Sequence, residues 1–331
     1  MFASIISDSV RGLIGDQAIY FALAAIGLNI HFGYTGLLNF GQAVFMAAGA
    51  YGVAMFTSPD SFGWGFGWGL FMGVIVFPLI MALILGVPTL RLRADYLAIV
   101  TIAAAEVVRL LLRSPKFDDQ TGSSDGLTNF SGDFYDLNPF KPSGRYLFNL
   151  FGGNQMFLVI VGWITVVVVV GLVYLMVNSP WGRVLKAIRE DEDAARSLGK
   201  NAYSYKMQAL IVGGVIGAIA GIVRALANSV AQPDNFITDV TFQVWVALIL
   251  GGVARVIGPV IGAMILWAVF AFTDSFLRQG IETEFSLIDW LSGPQVGQVR
   301  FMLVGLGLAL LAIFRPQGIF GNKEEMALDD R

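Results

Sequence analysis

Ionisable residues inside apolar runs are where chemistry would first be sought, and this chain has few of them. Glu106 and Arg109 stand three residues apart in one such run, and the lone histidine, His31, sits just before Gly33 and Gly36. At membrane depth a carboxylate can bind a driving ion and an imidazole can relay a proton, because ionisable groups there are costly and usually functional. Glu106 and Arg109 at i, i+3 can instead neutralise each other near the outer end of a span, with Arg109 reaching towards the headgroups. That structural reading is preferred. His31 lacks an accompanying metal or catalytic set and reads as packing beside a helix break.

The other polar groups in these runs are amides and small residues. Gly33, Gly36, Gly41, Ala43, Ala47, Ala48, Gly49 and Gly52 permit close helix approach, with Asn39 and Gln42 as polar partners. Gly33, Gly36, Asn39, Gln42 and Glu106 form the candidate substrate path. Gly213, Gly214, Gly217 and Gly221 repeat the small-residue pattern and predict close packing. No HExxH, common-depth carboxylate pair or Ser/His/Asp arrangement is evident, so an enzyme is not expected. The absence of cysteine excludes disulfides, Cys-based metal sites and Cys nucleophiles.

The elements that must hold these residues are membrane spans. Of 331 residues, 56% are hydrophobic and 14% charged, against about 25% charged in soluble domains. Ten-residue alternating strands are absent, which leaves helices as the spanning structure. The expected fold is all-α, a polytopic transmembrane helical bundle with broken or short helices. Apolar runs place spans near 14–34, 36–56, 68–90, 96–112, 156–177, 207–229, 240–254, 259–278 and 299–314. Residues 240–254 and 259–278 can be half-helices, and Gly33 with Gly36 can break a helix within the membrane. The N-terminus has no basic region followed by a small-residue cleavage site, so the first span is expected to target the chain. A net charge of −3 and the lack of a basic cluster give no sign of nucleic acid, whereas the apolar surface requires lipid.

Ser179 to Lys206 is a charged island between apolar runs, preceded by the uncharged stretch Met156 to Val177. Ser179 as N-cap, Pro180 in the first turn and Gly199 as a left-handed stop bound one helix. Trp181, Leu185, Ile188, Ala195 and Leu198 form its apolar stripe, and Lys186–Glu190 and Arg189–Asp193 can pair at i, i+4. Ala187, Ala194 and Ala195 would let a partner approach the backbone, as in helix-in-groove docking. Its acidic residues weigh against docking on lipid headgroups. Placing 179–206 in the cytoplasm gathers most lysine and arginine on that side, in keeping with the positive-inside rule, and puts the C-terminus there too. Residues 113–155, rich in Gly, Pro, Asp, Asn and Ser, then form an extracytoplasmic loop expected to cap the outer mouth.

GRVLKAIREDEDAARSLG resembles the cytoplasmic coupling loop of ABC importer permeases, specifically the branched-chain amino-acid permease family of the LivM kind. The resemblance extends, in order, through Gly27–Met55, Leu90–Leu112, Thr121–Leu127, Gly251–Ala263 and Arg315–Gly321. It implies one permease domain over 1–331 in a bacterial inner membrane. It also implies a homologous second permease subunit, two ATPase subunits and an extracytoplasmic substrate-binding protein. The coupling residues would be Arg183, Ala187, Glu190, Asp191, Ala194, Ala195, Leu198 and Gly199. The chain has no GxxxxGK[ST] motif, so no cofactor is expected on it; ATP and Mg would be used by the ATPase subunits. Two places depart from the family pattern: Ala254-Arg255 replaces the usual Gly-Ser, and Arg224 stands where an aromatic or apolar residue is more usual. A urea or short-chain amide permease is the close alternative. An ion-coupled secondary transporter is disfavoured, since only Glu106 is placed to bind an ion.

Overall fold

The computed structural model describes residues 2–92, 94–141, 144–147, 149–282, 297–299, 302, 305–306 and 318–320. The expected span 299–314 lies largely outside them, as does most of the C-terminal segment. The helices are α1 (Phe2–Ile14), α2 (Asp16–Asn29), α3 (Gln42–Thr57), α4 (Phe66–Phe71), α5 (Phe77–Thr89), α6 (Ala94–Leu112), α7 (Asp118–Thr121) and α8 (Gly132–Asp136). After a two-stranded hairpin, β1 (Arg145–Tyr146) with β2 (Phe151–Gly152), come α9 (Gly153–Asn178), α10 (Pro180–Glu190), α11 (Glu192–Ser197), α12 (Ala202–Asn228), α13 (Thr238–Gly251) and α14 (Gly258–Glu282). Wide π-helical turns continue α2 through Ile30–Tyr34 and join α4 to α5 through Met72–Val76.

Among the described residues, five helical stretches are long and apolar enough to cross a membrane: Ser4–Tyr34, Phe66–Thr89, Gly153–Asn178, Ala202–Asn228 and Gly258–Arg278. The architecture is a polytopic helical membrane bundle. Two classes of span differ in what surrounds them. Alpha-helices α2, α3 and α12 form the centre, and α2 is buried on every side from Ala18 to Asn29. By contrast α5 and α9 leave Leu79, Leu83, Ile84, Val167, Leu172 and Leu175 exposed, a surface that lipid or another apolar body must cover.

The small residues explain the tightness of that centre. A side chain at Gly221 of α12 would collide with the Met46 carbonyl of α3, and one at Gly49 with the carbonyl of Ala218. Gly27 and Gly213 approach in the same way between α2 and α12. The expected close packing of the 213–221 glycines is thus what the fold uses.

Two expectations about elements need correction. The span expected over 36–56 starts only at Gln42, because residues 35–41 are non-helical and Gly36 adopts φ +72°. The single helix expected over the charged island is two, broken at Asp191, whose extended backbone (φ −153°, ψ 105°) ends α10. Its carboxylate then accepts from the N–H groups of Asp193 and Ala194, capping α11. Ser179 holds the cap position, but its hydroxyl donates back to the Met176 carbonyl. Gly199 does take the left-handed conformation, φ +77°.

Candidate functional site

Breaking a helix inside a membrane exposes backbone groups that lipid cannot satisfy, so the break between α2 and α3 must be repaired by protein. On its C-terminal side the loose carbonyls each find a donor. The Thr35 hydroxyl donates to Ile30, the Leu37 N–H to His31 and the Gly36 N–H to Phe32. The fourth carbonyl, Gly33, accepts from Nη1 of Arg189 at 2.6 Å. Arg189 belongs to α10, so the charged island is fastened to the broken helix by a guanidinium at a helix C-terminus, where the helix dipole favours a cation. Lys186 of the same helix lies over the Tyr34 ring at 5.9 Å.

The N-terminal side of the break is repaired by side chains from two other helices and from the non-helical segment itself. Phe40 N–H donates to Thr101 of α6, Gly41 N–H to Oδ1 of Asn39, and Ala43 N–H to Thr241 of α13. Asn39 also donates through Nδ2 to Nδ1 of His31 at 3.0 Å, and its own carbonyl accepts from the Trp245 indole. With Nδ1 accepting, His31 donates through Nε2 to the Leu210 carbonyl of α12 at 3.1 Å. These contacts assign one neutral tautomer and bind α2, α3 and α12 at one point. A second tie runs from Asn29, which donates to the Arg255 carbonyl and accepts from Ala254 N–H. It holds the turn between α13 and α14, where Ala254 sits at φ +60°.

The sequence-designated path residues divide in two. Gly33, Gly36, Asn39 and Gln42 come together around the break. Asn39 and Gln42 are fully buried there, and Asn39 has all its polar groups engaged. Gln42 donates to the Ala24 carbonyl, while its Oε1 has no partner among the described residues. Glu106 lies apart, near the other end of the bundle, clasped by Arg109 at 2.6 Å. Arg109 also binds Asp234, which Arg113 reaches as well, so the expected pair is part of a four-residue cluster.

On the charged island, Arg183, Ala187, Glu190, Asp191, Ala194, Leu198 and Gly199 are exposed, while Leu185, Ile188 and Ala195 face inward. Leu198 was expected on the inward stripe, yet it is 80% exposed because the helix ends before it. The expected i, i+4 pairs do not form. Arg189 turns to Gly33, and Glu192 pairs with Arg196 and with Lys206 of α12. A cavity of about 260 Å³, lined by Gly36, Leu97, Arg189 and Lys206 among others, lies where the island meets the bundle.

Sequence reasoning missed Asn29, Thr101, Thr241 and the role of Arg189. A signal existed: hydroxyl and amide residues in apolar runs are the available partners wherever a helix must break.

At the opposite end, residues 113–155 pack over the C-terminus of α12. Leu127 pairs with Ala231 through both backbone groups, Ser131 bonds Ser229, and the Tyr135 hydroxyl donates to the Leu226 carbonyl. Burial, with the nearby Asp16 charge adding to it, pushes the Tyr135 phenol up to about 12, so it stays a donor across the physiological range.

The profile of the family described as the branched-chain amino acid transport system permease component matches residues 14–313. The chain belongs to this family. The LivM permease protein of a high-affinity branched-chain amino acid transport system in Salmonella typhimurium is 30% identical over 329 residues, covering 92% of this chain and 69% of its own. Its Escherichia coli counterpart is 28% identical over 319 residues, with the same coverage. A shorter match, 29% over 112 residues, 32% of this chain and 33% of its own, is to the LsrC permease protein of an autoinducer 2 import system in Photorhabdus laumondii. No solved structure matches the chain. The family is one of transport permeases, and the long apolar helices accord with a multi-pass membrane protein.

Proposed function

We propose that this chain is a permease subunit of an ATP-driven importer of branched-chain or related amino acids in a bacterial inner membrane, with its C-terminus in the cytoplasm. It would pair with a homologous second permease subunit, receive solute from an extracytoplasmic binding protein, and take its power from two ATPase subunits that use ATP and Mg. The supporting observation is the two-faced island. Its inner face is fastened to the broken helix through Arg189 and Gly33, while Arg183, Ala187, Glu190, Ala194 and Leu198 face outward. A push on the outer face would reach the break directly, without passing through flexible chain.

The amino-acid assignment follows the LivM relatives, and the autoinducer 2 relative shows that related permeases serve other solutes. Uptake assays with the assembled transporter separate these: saturable ATP-dependent leucine uptake supports the reading. Uptake of urea or a sugar in its place overturns the substrate class, and uptake by this chain without ATPase overturns the energy source.

A further inference from the structure

Arg224 is a half-buried charge for which neither the fold nor the island has a use. It lies on α12 four residues before Asn228, roughly 6 Å from the end of the helix opposite the island at 1.5 Å per residue. Its guanidinium rests over the rings of Tyr20 at 5.4 Å and Phe236 at 5.6 Å. Both rings are themselves buried, at 5% and 4% exposure, so the charge points into the protein and away from lipid. Yet its Nε and Nη1 are buried without any hydrogen-bond partner among the described residues. Ring stacking offsets part of the desolvation of a guanidinium but satisfies none of its in-plane donors. Leaving charged donors buried and unpaired is costly, and an arginine fork matches a carboxylate in geometry and charge.

A cavity stands close to this arginine, although the arginine is not part of its wall. A cavity of about 590 Å³ opens at the same end, lined by Asp8, Arg11, Asp16 and Gln17 together with Ala227 and Asn228 of α12. Tyr20 is one helical turn from Asp16 on α2, and Arg224 one turn from Asn228 on α12, so the pair stands about one turn deeper than two residues of the cavity wall. The volume suits a small organic solute. Asp16 gives the cavity wall a carboxylate, and the guanidinium of Arg224 lies one turn deeper.

We propose that Arg224 is a binding residue for the solute's carboxylate, seated between Tyr20 and Phe236, with the acidic cavity above it receiving the solute's cationic end. The inference rests on the amino-acid reading above and names the group that would recognise the substrate class within the membrane.

The test uses the purified assembled transporter in nanodiscs without its binding protein, so that selectivity is read at the permease. Binding of radiolabelled leucine, with leucinamide as competitor, and the thermal midpoint are measured for the native complex, R224K and R224M. The native complex should prefer leucine to leucinamide at least tenfold. R224M should bind leucine at least tenfold more weakly and lose the preference, with a thermal midpoint unchanged or higher because an unsatisfied charge has gone. R224K, which keeps charge but loses the fork, should fall between. Retained preference in R224M overturns the proposal. So does a lower midpoint or reduced recovery of the complex without loss of preference, which would assign Arg224 to the fold or to a carboxylate of the second permease subunit. If the native complex binds no amino acid, the substrate reading fails on its own. Isovalerate and isovaleramide then decide the site: a preference for the acid that vanishes in R224M supports it, and no preference overturns it.

Discussion

Two arginines, at opposite ends of the bundle, meet opposite fates. At the island end Arg189 supplies the one donor that the broken helix still needs, to the Gly33 carbonyl. At the far end Arg224 keeps Nε and Nη1 unpaired between two rings. Around Arg189 nearly every polar group is answered: His31, Asn39, Thr35, Thr101 and Thr241 each close a backbone or side-chain bond. One end is built to hold together, and the other to leave a charge open. The difference separates polar residues that repair a break from one that awaits a ligand, a distinction that residue type and membrane depth do not make.

If that contrast is right, substitutions at the island end all destabilise, in an order set by how many partners they strand and by whether a charged group makes the bond. His31→Phe should cost most, on the order of 3 kcal/mol, because the Asn39 amide and the Leu210 carbonyl both lose a buried partner. Thermal unfolding of the complex would register it, and an unchanged midpoint would break the comparison. Arg189→Met should cost about 1.5–3 kcal/mol, the range for a hydrogen bond to a charged group. It should also let ATP hydrolysis continue while uptake falls at least tenfold, since the island is no longer fastened to the break. Coupled hydrolysis and uptake in that variant would mean that force travels by another route. Asn29→Ala frees the Ala254–Arg255 turn and should lower stability by about 1–2 kcal/mol. Lys206→Ala removes a partly exposed ion pair with Glu192 and should cost about 1 kcal/mol or less.

The sequence carried the spans well where apolar length was the only requirement: Phe66–Thr89, Gly153–Asn178 and Ala202–Asn228 fall within a few residues of the runs at 68–90, 156–177 and 207–229. It carried the possible break at Gly33–Gly36 as well, since glycine marks where helix geometry can fail. It did not carry the partners of that break, because Thr101, Thr241 and Arg189 lie far along the chain and meet it only in the folded bundle. Local pairing rules misassigned Arg189 to Asp193 for the same reason: an exposed i, i+4 ion pair is weak, and a bare helix-end carbonyl competes for the cation. Likewise Ala195, grouped by spacing with the docking face, packs against Ile188 and Ala202. Arg224 could be noticed from sequence only as an unusual residue, and its lack of partners is visible only in three dimensions.

The central claim is that the outer face of α10 and α11 is covered by an ATPase subunit on the cytoplasmic side. The chain has no cysteine, so a single thiol introduced by Ala194→Cys reports on that face alone. Labelling with a membrane-impermeant maleimide should fail on intact cells, succeed on inverted vesicles stripped of ATPase, and be suppressed when the ATPase subunits are restored. Labelling from outside intact cells, or equal labelling with and without the ATPase subunits, would contradict it.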